Sequence, residues 1–405
     1  MTRAIYKPRA MANNSVFTTM GHGMKGLFNV SHFTAGFIAV LVGYTSSIAI
    51  IFQAASAAGG SAEQISSWLW AIGLGMGATT IGLSLYYKQP VLTAWSTPGA
   101  ALLATSLSGY SMHEAIGIFM FASLLIFICG VSGLFDKIMR HIPQPLAAAM
   151  LGGVLLQFGV NVFTELAADL TLVGSMLLVF LVARRLLPLY AVPLALLAGV
   201  FAAYSQGQIN GAALSITTAA PLWMSPSLNL QGLLGVGLPL FIVTMASQNV
   251  PGLAVIRANG YSTPASPLIS WTGLTGILMA PLGGFAYNLA AITAAICMGN
   301  EAGKDRTLRY WATVWAGIFY LLTGIFGATL VALLDAFPNA LVMAIAGLAL
   351  LGTIGNSMAA GLGDEPSREA ALLTFLITAS GMSLWGIGSA FWGIVVGMAV
   401  YHSRR

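Results

Sequence analysis

Between Lys25 and Glu63 the chain carries no Asp, Glu, Lys or Arg, and the same holds for residues 186–256 and 258–300. Each run exceeds the ~20 apolar residues that a helix needs to cross the hydrocarbon core of a bilayer. Only 7% of the 405 residues are charged, against about 25% in an ordinary soluble domain. So few charges cannot clothe a water-facing surface, which excludes a cytosolic enzyme, a nucleic-acid binder and a disordered chain. The net charge of +5 does not revive the second class, because the basic residues are scattered in ones, twos and threes. A β-barrel would alternate apolar and polar residues in segments of about ten. Here the apolar runs are nearly continuous, as at 118–127 and 174–182. The expectation is an all-α integral membrane protein.

Fourteen apolar segments can be marked, starting near Ser31, Ile65, Val91, Glu114, Gln144, Asp169, Ala191, Gln231, Ser266, Phe285, Arg309, Pro338, Arg368 and Leu384. Their connectors are short and leave no room for a soluble domain, and no cleavable signal peptide is evident. With fourteen spans, alternate loops and both termini share one side. All 16 basic residues then fall on that side, including Arg3, Lys88, Lys137, Arg140, Arg184, Arg257, Lys304, Arg368 and Arg405. The positive-inside rule makes it cytoplasmic. Glu63, Glu114, Glu165, Asp169 and Asp335 fall opposite. Residues 1–30 are a cytoplasmic N-terminal segment in this reading.

Dividing the chain at the charge-free connector 206–230 leaves seven spans in 31–205 and seven in 231–402. Seven is odd, so the halves lie in opposite orientations, the inverted repeat of many secondary transporters. Span three contains Ala94-Trp-Ser-Thr-Pro-Gly-Ala-Ala-Leu-Leu. The residue before a proline avoids the α region, so Thr97 is extended. Pro98 suits the first turn of a helix, with Ser96 or Thr97 as N-cap. Span ten follows the same plan as Gly283-Gly-Phe-Ala-Tyr-Asn-Leu-Ala-Ala-Ile-Thr-Ala-Ala-Ile-Cys-Met-Gly, with Asn288 as N-cap for a run from Leu289. Both spans are therefore expected to be discontinuous, each an extended approach followed by a half-helix that starts inside the membrane.

A half-helix start presents free N–H groups and about half a positive charge, so two starts together offset roughly one negative charge. The surroundings hold no Lys or Arg, which suits a monovalent anion held by dipoles and neutral donors. The site would comprise Ser96, Thr97 and Gly99 on one side and Ala286, Tyr287, Asn288 and Leu289 on the other. Span eight adds Thr244-Met-Ala-Ser-Gln-Asn-Val-Pro-Gly. Its Gln248 and Asn249 point about 100° apart on a helix, so one can face a ligand while the other bonds a neighbour. Such amides also serve as glue between membrane helices. Trp95, Phe285 and Tyr287 can sandwich a flat ring or simply pack, and Tyr44 and Gln53 of span one are further ligand candidates. Ser46, Ser47 and Gly73-Leu-Gly-Met-Gly read as close-packing residues, and Cys129 and Cys297 as small hydrophobes. No metal-ligand spacing, nucleophile–base pair, phosphate loop or dinucleotide fingerprint is present, so neither an enzyme nor a cofactor is expected.

The three motifs quoted resemble the bacterial benzoate:proton symporter (BenE) family, over essentially the whole chain. The family is related in fold to the uracil-permease type of nucleobase transporter. The resemblance implies a core domain of spans one to four and eight to eleven, a gate domain of the remaining spans, and substrate binding between spans three and ten beside span eight. Those nucleobase relatives use carboxylates in spans eight and ten, where this chain has Gln248 and Tyr287 or Asn288. A carboxylate substrate would be repelled by acidic groups there, whereas a nucleobase would favour them. The resemblance thus implies proton-coupled import of benzoate or a related aromatic carboxylate across the bacterial inner membrane. The proton travels on the substrate or through a carboxylate such as Glu301. Lipid surrounds the protein, no nucleic acid is a partner, and a homodimer is a candidate assembly. The rivals are an inorganic-anion or nucleobase transporter of the same fold, and an anion channel.

Overall fold

The computed structural model describes residues 29–133, 135, 143–211 and 216–403. The predicted cytoplasmic segment 1–30 therefore lies almost wholly outside the described residues, as do Lys137, Arg140, Arg404 and Arg405. The first half contains α1 (Val30–Ala57), α2 (Ala62–Tyr87), β1 (Thr93–Trp95), α3 (Thr97–Ser106), α4 (Met112–Val131), α5 (Gln144–Ala168), α6 (Leu170–Leu186) and α7 (Ala191–Ser205). The second contains α8 (Leu230–Ala258), α9 (Ala265–Met279), β2 (Tyr287–Leu289), α10 (Ile292–Met298), α11 (Tyr310–Ile325) and α12 (Gly327–Ala336). It ends with α13 (Asn339–Leu362), α14 (Arg368–Ala379), the hairpin strands β3 (Ser383–Leu384) and β4 (Ile387–Gly388), and α15 (Ser389–Ser403). Among the described residues eight helices are long and apolar enough to cross a membrane, or nine if the pair α11–α12 is one bent span.

Local chemistry sets the helix ends. Ser61 and Gln64 form a reciprocal capping box at the start of α2, and Ser111 and Glu114 do the same for α4, each satisfying two N–H groups that a helix start leaves open. Helix α8 is continuous but contains two π turns, Leu233–Gly237 and Met245–Asn249. The first ends just before Leu238-Pro239 and the second just before Val250-Pro251; Leu238 N–H donates to Leu233 O and Val250 N–H to Met245 O. A proline ring collides with the carbonyl four residues back, and the wider turn relieves that collision.

Two departures from the sequence reading occur in the second half. The segment expected as one span from Arg309 is bent by 65° between α11 and α12, next to Gly324 and Gly327, where glycine supplies the backbone freedom a kink needs. The segment expected to start near Leu384 as helix begins instead as a hairpin whose turn residues Trp385 and Gly386 have φ of 55° and 75°. Positive φ at both central residues is the geometry that matches strand twist.

The most extensive packings fall in two sets. In one, α2 packs on α11, α4 on α9, and α1 on α3, α10 and α11; in the other, α5 packs on α13 and α14, α14 on α15, and α6 on α7. The approach of α2 to α11 depends on glycine: a Cβ at Gly73 would lie 2.5 Å from Gly324 Cα, and one at Gly77 would lie 2.8 Å from Gly317 O. The run read as a packing motif thus serves as one.

The connector is pinned across helix ends rather than free. Asn210 N–H donates to Ala336 O, Ala219 N–H to Ile325 O, Met224 N–H to Pro281 O and Ser227 N–H to His113 O. Ser67 Oγ accepts from Leu222 N–H, and Glu114 Oε1 accepts from Asn229 Nδ2 at 2.6 Å.

Candidate functional site

The extended segments expected before each half-helix are β1 and β2, and they pair with each other. The ribbon is antiparallel, with Thr93 opposite Leu289, Ala94 opposite Asn288 and Trp95 opposite Tyr287. Ser96 N–H to Ala286 O at 3.1 Å and Ala290 N–H to Leu92 O at 2.9 Å extend it at both ends. Because the strands oppose, α3 leaves one end of the ribbon and α10 the other. Both positive helix ends therefore point back at the ribbon, whose paired residues span roughly 7 Å. Helix α1 lies against both short helices, and α5 lies against α3 and the second π turn of α8.

At the start of α3 the expected cap and proline position are found, but Thr97 is not extended: it is the first residue of the helix. The extended residue is the cap Ser96, whose hydrogen bonds to the first turn outweigh the bias that a proline places on the residue before it. Ser96 is the N-cap, its Oγ accepting from Gly99 N–H at 3.0 Å, and Pro98 stands in the first turn. Ala100 N–H donates to Ser96 O and Pro98 has no N–H, so Thr97 is the N–H of that first turn not drawn into the helix itself. Thr97 is also half-buried, whereas Ser96, Pro98 and Gly99 are buried.

At the start of α10 the expectation is corrected. Asn288 is not an N-cap: it lies in β2, and the N-cap of α10 is Ala291, whose methyl makes no capping hydrogen bond. Pairing with β1 keeps the backbone extended past Leu289, so the helix starts at Ile292. Asn288 Nδ2 donates to Ala286 O at 3.0 Å, and its buried Oδ1 has no partner among the described residues. Ala286 sits at φ 45°, a left-handed position that costs a residue with a Cβ about 1 kcal/mol or more. Its carbonyl is thereby placed to accept from both Ser96 and Asn288.

The amide pair on α8 divides its work. Asn249 is fully buried; its Oδ1 accepts from Leu289 N–H at 2.9 Å and its Nδ2 meets Met245 Sδ at 3.1 Å. It holds the outer edge of the ribbon to the π turn. Gln248 beside it is half-buried, and its side chain has no hydrogen bond among the described residues.

The three aromatics expected to sandwich a ring are dispersed. Phe285 packs with Trp68 and Phe119, ring centroids 5.8 and 5.3 Å away. Tyr287 donates its hydroxyl to Ala71 O of α2 at 2.7 Å and lies over Gly75. Trp95 instead meets α1: its Nε1 donates to Ser47 Oγ at 3.0 Å, and its ring meets Tyr44 edge-on at 4.7 Å. Ser47, read as a packing residue, therefore orients the indole. The Tyr44 hydroxyl is buried with no hydrogen-bond partner among the described residues.

Tyr320 of α11 was missed by sequence reasoning. Its ring centroid is 6.1 Å from that of Tyr44, and a Cβ at Gly43 would contact both its hydroxyl and Thr293 of α10. Nothing local marked it, since aromatics are frequent in apolar helices. Gln53 lies further along α1, its Nε2 also buried without a partner, in the wall of a cavity of about 540 Å³. Glu114 and Asp169 are occupied at helix starts, and the side chain of Glu301 lies outside what the structure describes. Among the described residues no three His, Cys, Asp or Glu side chains cluster as metal ligands would.

A buried antiparallel ribbon, bounded by two short helices of opposite direction inside a bundle of apolar helices, defines a structural class of membrane protein. The same fold is found in SLC26A9, with a TM-score of 0.63 at 10% identity, covering 100% of this chain and 72% of that one. It is also that of the transmembrane domain of a cyanobacterium bicarbonate transporter, BicA, with a TM-score of 0.57 at 14% identity, covering 91% and 97% of the two chains. Within this class the chain belongs to the benzoate membrane transport protein (BenE) family, whose profile matches residues 26–403. It is 50% identical over 367 residues to the inner membrane protein YdcO of Escherichia coli (strain K12), covering 91% of this chain and 94% of that protein. It is 40% identical over 384 residues to the benzoate membrane transport protein of Acinetobacter baylyi (strain ATCC 33305 / BD413 / ADP1), covering 95% and 98%.

Proposed function

We propose that this chain imports benzoate or a closely related aromatic carboxylate together with a proton, by alternating access. The observation that carries the reading is the ribbon: two oppositely directed helix starts flank it, one at each end, and neither strand nor short helix carries a Lys or Arg. Family membership narrows the guest to the substrate named for the Acinetobacter relative. Helix α10 has only seven residues, so its dipole contributes less than that of α3, and neutral donors carry more of the load. Thr97 N–H outside the helix's own bonds, the amide of Gln248 and the hydroxyl of Tyr44 are donors without a hydrogen-bond partner among the described residues. They would receive the carboxylate, with the ring against Trp95 and Tyr44. Asn249, Asn288, Ala286, Tyr287 and Leu289 would shape the site through backbone and ribbon geometry, and Phe285 from the packing behind it.

The membrane arrangement follows as part of the same proposal. Fourteen spans form two inverted repeats of seven, each with its strand and short helix third in order, and both termini face the cytoplasm of the inner membrane. Core and gate correspond to the two packing sets described above, and they would rock against each other along α1, α3, α5 and the π turn of α8. The proton accompanies the substrate or passes through Glu301.

Uptake of labelled benzoate into proteoliposomes, with and without an inward proton gradient, tests the reading. Saturable uptake stimulated by the gradient is the expected result; absence of uptake under both conditions overturns it. The solved relatives include anion transporters, so bicarbonate and sulfate belong in the competition arm, and their displacement of benzoate at similar concentrations would favour an inorganic-anion substrate.

A further inference from the structure

The cavity beside Gln53 is separate from the ribbon. It lies between the C-terminal turns of α1 and the junction of α12 with α13, at about 540 Å³. Gln53 is six residues beyond Ser47, so the cavity starts roughly 9 Å along α1 from the residue that orients Trp95. Its walls are apolar and partly aromatic, formed by Phe52, Phe337 and Met343, while Asp335 and Asn339 stand exposed at its rim. Gln53 Nε2 is a buried donor with no partner among the described residues. Leaving such a donor without a partner costs free energy, which a guest able to accept from it would recover. Asp335 is the one charged residue of the lining.

We infer that this cavity is a second aromatic-carboxylate subsite, a vestibule through which the substrate passes before or after the ribbon site. Apolar walls receive the ring, and Gln53 with Asn339 supplies neutral N–H donors to the carboxylate. The same division, ring against aromatics and carboxylate on uncharged donors, is proposed for the ribbon site. The inference therefore rests on that reading for the class of guest. The cavity borders both α1 of the core set and α13 of the gate set, so an occupant there lies on the seam that opens. Asp335 opposes an anionic guest and weakens its retention, as a passage site requires.

The test uses Asn339→Cys at the rim, with Ser56→Cys on the facing wall as a second reporter, in the full chain. The native Cys129 and Cys297 are buried and free, so a membrane-impermeant maleimide reports the introduced thiol. Benzoate is expected to slow labelling in proportion to its occupancy, and acetate, which has no ring, to leave it unchanged. Gln53→Leu should raise the half-protecting benzoate concentration about tenfold, the worth of a hydrogen bond to a charged group. Asp335→Asn should lower it about threefold, as expected for relief of a solvent-exposed like-charge contact. In a Gln248→Ala background the half-protecting concentration should stay where it was. If it moves together with the uptake KM, benzoate slows labelling by closing the carrier, and the vestibule is overturned. Uptake without protection overturns the vestibule and leaves the proposed transport standing; loss of both overturns both.

Discussion

Replacing Asn249 with alanine separates the two adjacent amides of α8. Asn249 Oδ1 is the partner of Leu289 N–H at 2.9 Å, in a fully buried setting. In an antiparallel pair, N–H groups alternate between facing the partner strand and facing away. The Leu289 group faces away from β1, and among the described residues no strand lies on that side. Truncation orphans it where water cannot substitute, at about 1–3 kcal/mol. The removed side-chain atoms leave a void the size of one small group, adding about 1 kcal/mol at the cost per volume seen in large-to-small core substitutions. The loss of the Met245 contact adds little, since thioether sulfur is a weak acceptor. The expected penalty is therefore roughly 2–4 kcal/mol in unfolding free energy, measured by steric trapping or denaturation in mixed micelles, and uptake falls as the ribbon loosens. Gln248→Ala breaks no hydrogen bond among the described residues. It should leave stability within about 0.5 kcal/mol of the parent and raise the benzoate KM about tenfold through loss of a donor to a charged group. Native stability in Asn249→Ala, or equal destabilisation by both substitutions, would refute the division of roles.

Gly73→Val should abolish recovery of monodisperse protein from detergent, because its side chain would occupy the space of Gly324; Gly82→Val, with open space around it, should behave as the parent in the same size-exclusion assay. Trp95→Phe and Ser47→Ala should each raise the uptake KM, and the double variant should cost no more than the larger single effect, since both delete one hydrogen bond; additive losses would show that Ser47 does not act through the indole. The Gln208 amide and the Leu172 N–H hold the Asp169 carboxyl below its ordinary pKa. Its contribution to stability is accordingly complete above about pH 4, the ordinary Asp value, and is lost as pH falls through the depressed value. The stability gap between the parent and Asp169→Ala should be flat across neutral pH and narrow only in strong acid; a gap that closes on raising the pH would contradict the assignment.

Several features were legible because they depend on a residue and its immediate neighbours. Pro98 suits a first helical turn and Ser96 and Thr97 before it offer caps, so the break in span three and a cap just ahead of the proline could be read directly, although Thr97 joins the helix instead of extending. The glycines from Gly73 to Gly77 announced a close helix approach. The Asn288 cap failed for a reason outside its neighbourhood. Trp95 and Tyr287 lie in different halves of the chain, and strands of three residues carry too little periodicity to reveal a partner. Once paired, β1 carries the extended backbone of β2 beyond the point where a cap would act. The same distance hid the separate destinations of Phe285, Tyr287 and Trp95, and the presence of Tyr320 beside Tyr44.

By itself the sequence determined that this chain lives in a bilayer and that two of its spans are interrupted. Avoidance of water and clashes around a proline ring belong to a segment whatever surrounds it. Only the tertiary structure decided which amide is held and which is free, which aromatic rings share a space, and where an unpaired donor lies beside a cavity. Those outcomes depend on hydrogen-bond distances between groups brought together from opposite ends of the chain.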